Sequence, residues 1–126
     1  METSRRGGTI TDSRSASQRI TDEVTSWDGV ESGYGKRGEF GFYVNGHEVG
    51  HLHGDHAAHF SFGKEIGTAL KEEGRVVDHP VFPGKPGPAA RRIETDEDVR
   101  DVIELMRLNY DRLIARYGLR SISATT

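Results

Sequence analysis

The pair Asn45-Gly46 stands between two short runs in which large apolar residues alternate with smaller or more polar ones, and no other feature restricts the folding of this chain so sharply. Phe40, Phe42 and Val44 precede the pair; Val49 and Leu52 follow it. Asn-Gly between such runs favours a two-residue type I′ β-hairpin, because both central residues need positive φ. That turn sets a register: Val44 opposite His47, Phe42 opposite Val49, Phe40 opposite His51. Side chains alternate between the faces of a strand. Phe40, Phe42, Val44, His47, Val49, His51 and His53 are therefore expected to share one face. Carrying the large apolar groups, it is expected to be the core face, with a pocket at its edge beside His51 and His53.

Helical periodicity accounts for much of the rest. Ala16, Ile20, Val24 and Trp27 recur at helical spacing and predict a first amphipathic helix over about 13–26, followed by turns around Gly33 and Gly35. A second helix is expected over 61–73, with Ser61 as N-cap and Gly74 just past the end. Short strands are expected over 75–79 and 89–93, separated by a stiff loop, Pro80 to Pro88, that holds all four prolines. Thr95, followed by Asp96, Glu97 and Asp98, reads as the capped start of a long helix, since negative charge suits a helix N-terminus. Its stripe is Val99, Val102, Ile103, Met106, Tyr110, Leu113, Ile114 and Tyr117, and Gly118 stops it. The pattern specifies an α+β domain over 12–118. Its antiparallel sheet is built on the hairpin, with an N-terminal helix, a middle helix and a long C-terminal helix packed on the sheet. Residues 1–11 are expected to be disordered and 119–126 to form a frayed tail.

Composition removes several functional classes. The absence of cysteine excludes disulfides, thiolate catalysis and Cys-type zinc sites. The net charge of −3 gives no reason to expect nucleic acid or an anionic membrane as partner, and the cationic pairs Lys36-Arg37 and Arg91-Arg92 read as solvated surface. No apolar run approaches the ~18 residues of a membrane span. Residues 1–8 lack the apolar stretch of a signal peptide, so a cytoplasmic location is the expectation. Oligomeric state is left open.

Five of the six histidines, His47, His51, His53, His56 and His59, fall within thirteen residues. Neutral imidazole is a common metal ligand, and histidines two apart on a strand present both rings on one face. In that chemistry His51, His53, Asp55 and His56 are the candidate ligands of zinc or another divalent ion, with His79 reaching in from a later strand. Imidazoles also serve as general bases that remove a proton from a phenol or enol and then hydrogen-bond the anion. His47, beside the turn, is expected to be solvated. The string His51-Leu-His53-Gly-Asp55-His56 matches the zinc-binding string of metallo-β-lactamase-type hydrolases. That fold needs a much longer chain with further downstream ligands, and here only His79 follows.

A second resemblance covers more of the chain. Glu48-Val49-Gly50-His51-Leu52-His53 is followed by His56 and His59, then by a helix with Lys64-Glu65 and Leu70-Lys71 closing in Gly74. Next come His79-Pro80, the loop Pro83-Gly84-Lys85-Pro86-Gly87-Pro88, and the acid-capped helix from Thr95 to Tyr117. In this order these features resemble the luciferase domain of fungal luciferases and of small prokaryotic proteins. The His56 to His59 spacing is shorter than in the fungal members. The resemblance implies a histidine-lined pocket for a small apolar enolic or phenolic molecule, oxidised with molecular oxygen without a required cofactor. It implies His51, His53 and His79 as catalytic candidates and His56 and His59 as substrate contacts. Phe40, Phe42, Pro80 and Phe82 would supply the apolar lining. A non-catalytic ligand-binding module is the remaining alternative.

Overall fold

The structure, a computed structural model, describes residues 12–118; the expected disordered start and frayed tail lie outside the described residues. Helix α1 (Ala16–Val24) leads into four consecutive strands, β1 (Val30–Tyr34), β2 (Phe40–Val44), β3 (His47–His53) and β4 (Ala57–Ser61). Helix α2 (Lys64–Glu72), the two-residue strand β5 (Val77–Asp78), strand β6 (Pro88–Arg92) and helix α3 (Asp96–Tyr117) complete it. The six strands form one antiparallel sheet in the order β1-β2-β3-β4-β6-β5. This is the expected α+β class, with helices packed on the sheet.

Three elements differ from the sequence reading. Residues 30–34, expected as turns, form edge strand β1 paired with β2. Gly33 weakens a strand, but β2 supplies a complete ladder along its length. Residues 57–61 form β4, which bonds to β3 on one side and β6 on the other. Ser61 therefore ends a strand instead of capping a helix, and α2 begins at Lys64 after Gly63, whose φ is 87°. At the other end of α2 the expected stop is present. Gly74 N–H bonds Lys71 O and Arg75 N–H bonds Leu70 O, the paired bonds of a Schellman motif.

The hairpin turn forms as expected, with Asn45 at φ 53° and Gly46 at φ 81°. Val44 lies opposite His47 and Tyr43 opposite Glu48, but Phe42 then pairs with Gly50. Val49 is an extra residue, a β-bulge. A one-residue slip sends every later side chain to the other face. The expected pairings of Phe42 with Val49 and Phe40 with His51 are thus replaced by Phe40 with Leu52 and Gly41 with His51. Phe42, Val44, Val49 and Leu52 all enter the core, whereas His51 and His53 turn to the opposite face of the sheet.

Helix α3 lies across the core face. Val99, Val102, Leu105, Met106, Tyr110 and Leu113 are buried against Ile20 and Val24 of α1, the sheet residues, and Leu70 of α2. The Tyr110 hydroxyl donates to Asp28 O at 2.6 Å, tying α3 to the segment after α1. The start of α3 has a complete capping box: Thr95 Oγ1 accepts from Asp98 N–H at 3.0 Å, and the Asp98 carboxylate accepts from Thr95 N–H at 3.0 Å. Thr95→Ala is expected to lower stability by about 1 kcal/mol in urea unfolding, the usual value of an N-cap hydroxyl. No described helix is long and apolar enough to cross a membrane.

Candidate functional site

The face of the sheet turned away from the helices gathers four of the histidines. His51 of β3 pairs directly with His59 of β4, and His53 lies two residues further along β3 on the same side. His79 follows the short strand β5. Ring centroids are 5.2 Å apart for His51 and His59, 4.3 Å for His53 and His59, and 4.2 Å for His59 and His79. His59 is the hub, and it and His79 are each only 9% exposed. The rings floor a hollow of about 390 Å³, within the usual range for small-molecule sites. Lys36, Arg37 and Glu39 bound one end, Val81 and Phe82 the other.

His79 is held by the loop that follows it. Phe82 N–H donates to His79 O at 3.0 Å, and the two rings lie 5.1 Å apart. Asp78 anchors the turn by accepting Gly84 N–H at 3.0 Å and pairing with Lys71 Nζ at 3.0 Å. Stiff proline-rich backbone plus these bonds fix Val81 and Phe82 as a wall beside His79.

The hydrogen bonds give the rings opposite polarities. His51 Nδ1 is 2.7 Å from Glu48 Oε2, so a neutral ring carries its proton on Nδ1 and leaves Nε2 as a free lone pair. His79 Nδ1 accepts Val81 N–H at 3.1 Å, so a neutral ring carries its proton on Nε2. His59 Nδ1 is buried without a partner. Burial, followed by the neighbouring imidazoles, holds the His59 pKa down at about 4. Burial is also the main cause of the depressed pKa values of His53 and His79. The floor of the hollow therefore holds at least three imidazoles that stay neutral near pH 7.

This has a consequence for stability. The unfolded chain takes up a proton on His59 near pH 6.5, whereas the folded chain resists until about pH 4. The contribution is complete above pH 6.5 and is lost progressively as pH falls toward 4, because protons there favour the unfolded chain. After allowance for solvent on the open side it amounts to about 1–2 kcal/mol. Thermal unfolding between pH 7 and 5 is expected to show a steeper fall for the wild type than for His59→Leu; equal slopes would remove His59 from this account.

Other candidates lie elsewhere. Asp55 Oδ1 accepts Ser17 N–H at 2.8 Å and so serves the N-terminus of α1. His56 is an exposed residue of the β3–β4 turn, in a hollow shared with Arg14 and Arg19. The expected ligand set His51, His53, Asp55 and His56 is therefore not assembled, because the turn after β3 carries the last two away. The set that does converge is His51, His59 and His79, with one donor atom from each lying within 4.8 Å of the others. His47 stacks on Tyr117 with centroids 3.7 Å apart, on the helix side. Phe42 is fully buried in the core, and Phe40 lines a separate hollow beside α1. The bulge accounts for both, since it divides the phenylalanines from the histidines. Exposed Pro80 joins His79 to the wall, but Val81 and Phe82 form it.

Sequence reasoning missed Glu48, Lys36, Arg37, Glu39 and Val81. Glu48 and His51, three apart, would face opposite ways in a regular strand; the bulge between them puts both on one side. A family model described as the luciferase domain matches residues 46–109, just over half of the chain, a span that includes all four clustered histidines. No curated protein and no solved structure matches.

Proposed function

Since the chain belongs to the luciferase-domain family, we propose that its histidine hollow binds a small, largely apolar enol or phenol and removes its hydroxyl proton, and that an enol so ionised is oxidised by molecular oxygen. The observation that carries this reading is the opposite polarity of His51 and His79. His51 Nε2 presents a lone pair, and the Glu48 carboxylate on Nδ1 orients the ring and stabilises the imidazolium formed when it takes a proton. His79 Nε2–H, fixed by the Val81 bond, donates to the oxyanion left behind. An enolate in this position gives electrons to dioxygen and forms a C–O bond. The proton stored on His51 completes the hydroperoxide, so the sum is enol plus O₂. Val81 and Phe82 keep one side of the anion dry.

The probe 2-naphthol tests the acid–base half directly, because naphthol and naphtholate differ in absorbance and emission. Bound probe is expected to ionise at least about one pH unit below free probe. His51→Ala should abolish that shift and weaken binding about tenfold, as for loss of a hydrogen bond to a charged group, while circular dichroism stays unchanged. Failure to bind, or binding with an unshifted ionisation, overturns the reading.

A divalent cation on His51, His59 and His79 is the second reading, favoured by their converging donor atoms and by Glu48 behind His51, a common arrangement for ligating histidines. A ligand bond from His79 Nε2 would move that ring's proton to Nδ1 and break the bond to Val81. Elemental analysis of untagged protein separates the readings: about one ion per chain favours the second.

A further inference from the structure

We infer that the molecule taken up by this hollow carries, besides its acidic hydroxyl, a second and anionic group such as a carboxylate, bound at Lys36 and Arg37, and a planar apolar body that lies toward Phe82. The inference rests on the reading of the hollow as a phenol or enol site and deepens it.

The two ends of the trough differ in kind. At one end the β1–β2 turn is pinned by Gly35 N–H to Glu39 O at 2.7 Å and Gly38 N–H to Gly35 O at 3.2 Å, with Gly38 at φ 84°. Lys36 and Arg37 stand at its tip, exposed, and neither side chain forms an ion pair among the described residues. Glu39 is the acid at that end, and it is already engaged: its Oε1 accepts Arg37 N–H at 3.0 Å, and its side chain folds against Gly35. Two cations against one occupied carboxylate leave one positive charge in excess.

Among the described residues that line the hollow, Lys36 and Arg37 are the only side chains with a permanent positive charge, and Glu48, the acid beside His51, already meets its Nδ1 at 2.7 Å. Attraction for an anion therefore centres on the turn. At the far end Phe82 and Val81 are 48% and 59% exposed, and Val77 of edge strand β5 is 64% exposed. Two of the large apolar residues left in water, Val81 and Phe82, thus stand together at one end of this hollow, a pattern that marks a binding surface. From β2 to His59 of β4 the floor of the trough crosses two strand spacings, about 10 Å, with Phe82 beyond it. That suits a fused two-ring system with its charge at one end.

The pair 6-hydroxy-2-naphthoate and its methyl ester tests this, titrated by fluorescence with the wild type and the double variant Lys36→Ala/Arg37→Ala. The wild type is expected to bind the acid about tenfold more tightly than the ester, the value of a charge-assisted contact. That preference should fall below about twofold in the double variant and in 1 M salt. Equal or tighter binding of the ester by the wild type overturns the inference and leaves the phenol site standing. Binding of neither probe overturns both.

Discussion

Asn109→Leu is expected to cost about 3 kcal/mol in urea unfolding, although leucine has the same heavy-atom branching as asparagine. Asn109 is fully buried on α3. Its Nδ2 donates to Val49 O at 2.8 Å and to Ser61 O at 3.3 Å, and its Oδ1 accepts Arg112 Nε at 2.8 Å. Val49 is the bulge residue, so this one amide clamps the irregular point of β3 to the helix. Leucine would leave the Val49 carbonyl unpaired in the core and strip Arg112 of an acceptor. Each buried group left without a partner costs roughly 1–3 kcal/mol. Ser61 O keeps its bond from Arg112 Nη2 at 3.1 Å, which limits the loss. A change below about 1 kcal/mol would mean that the bulge is secured by something else. The amide resonances of His51 and His59 should move in the same variant, because the bulge sets their pairing.

Gly67→Ala should be comparably damaging and should also weaken the binding of 2-naphthol. Gly67 of α2 faces the proline-rich loop, where an added Cβ would run into Pro86 O and lie 3.1 Å from Gly87 Cα. These are backbone atoms of a stiff segment whose end is held by Phe62 N–H to Gly87 O at 3.1 Å. Overpacking typically costs 1–3 kcal/mol, and the rigidity here puts the expected loss near the top, about 3 kcal/mol. Whatever relief the loop finds displaces His79, Val81 and Phe82 together. Gly50→Ala is the control. Its Cβ would meet Met106 Sδ at 2.8 Å and Phe60 Cδ1 at 3.1 Å, side-chain atoms rather than backbone, and the cost should be smaller, about 1–2 kcal/mol. If both variants melt alike, the loop is softer than its prolines and bonds imply.

The parts of the fold that could be read in advance are those with one strong local cause. The stripe and cap of α3 and the Asn45-Gly46 turn belong here. Strand β4 was hidden because Ala57-Ala58-His59-Phe60-Ser61 has little intrinsic strand character and is held by ladders on both sides. The bulge left a legible trace. Val49 and Leu52 are both apolar but three apart, and residues an odd number apart cannot share a face of a regular strand. Gly50 between them is the kind of residue that accompanies a bulge. The local histidine cluster was visible, yet its true membership was not. His56 and Asp55 are neighbours of His53 in sequence and leave with the turn, whereas His79 arrives from a strand at the far edge of the sheet. Lys36 and Arg37 have the composition of ordinary surface; only the pairing of β1 with β2 puts them beside His53.

The bulge at Val49 also decouples two kinds of change. On one side of the sheet the residues answer to α1 and α3, and a substitution there is felt throughout the interior. On the other, His51, His53, Lys36, Arg37 and Phe82 line an open hollow and pack on no helix of the core. The side chains that shape the hollow can therefore be exchanged without renegotiating the scaffold that presents them.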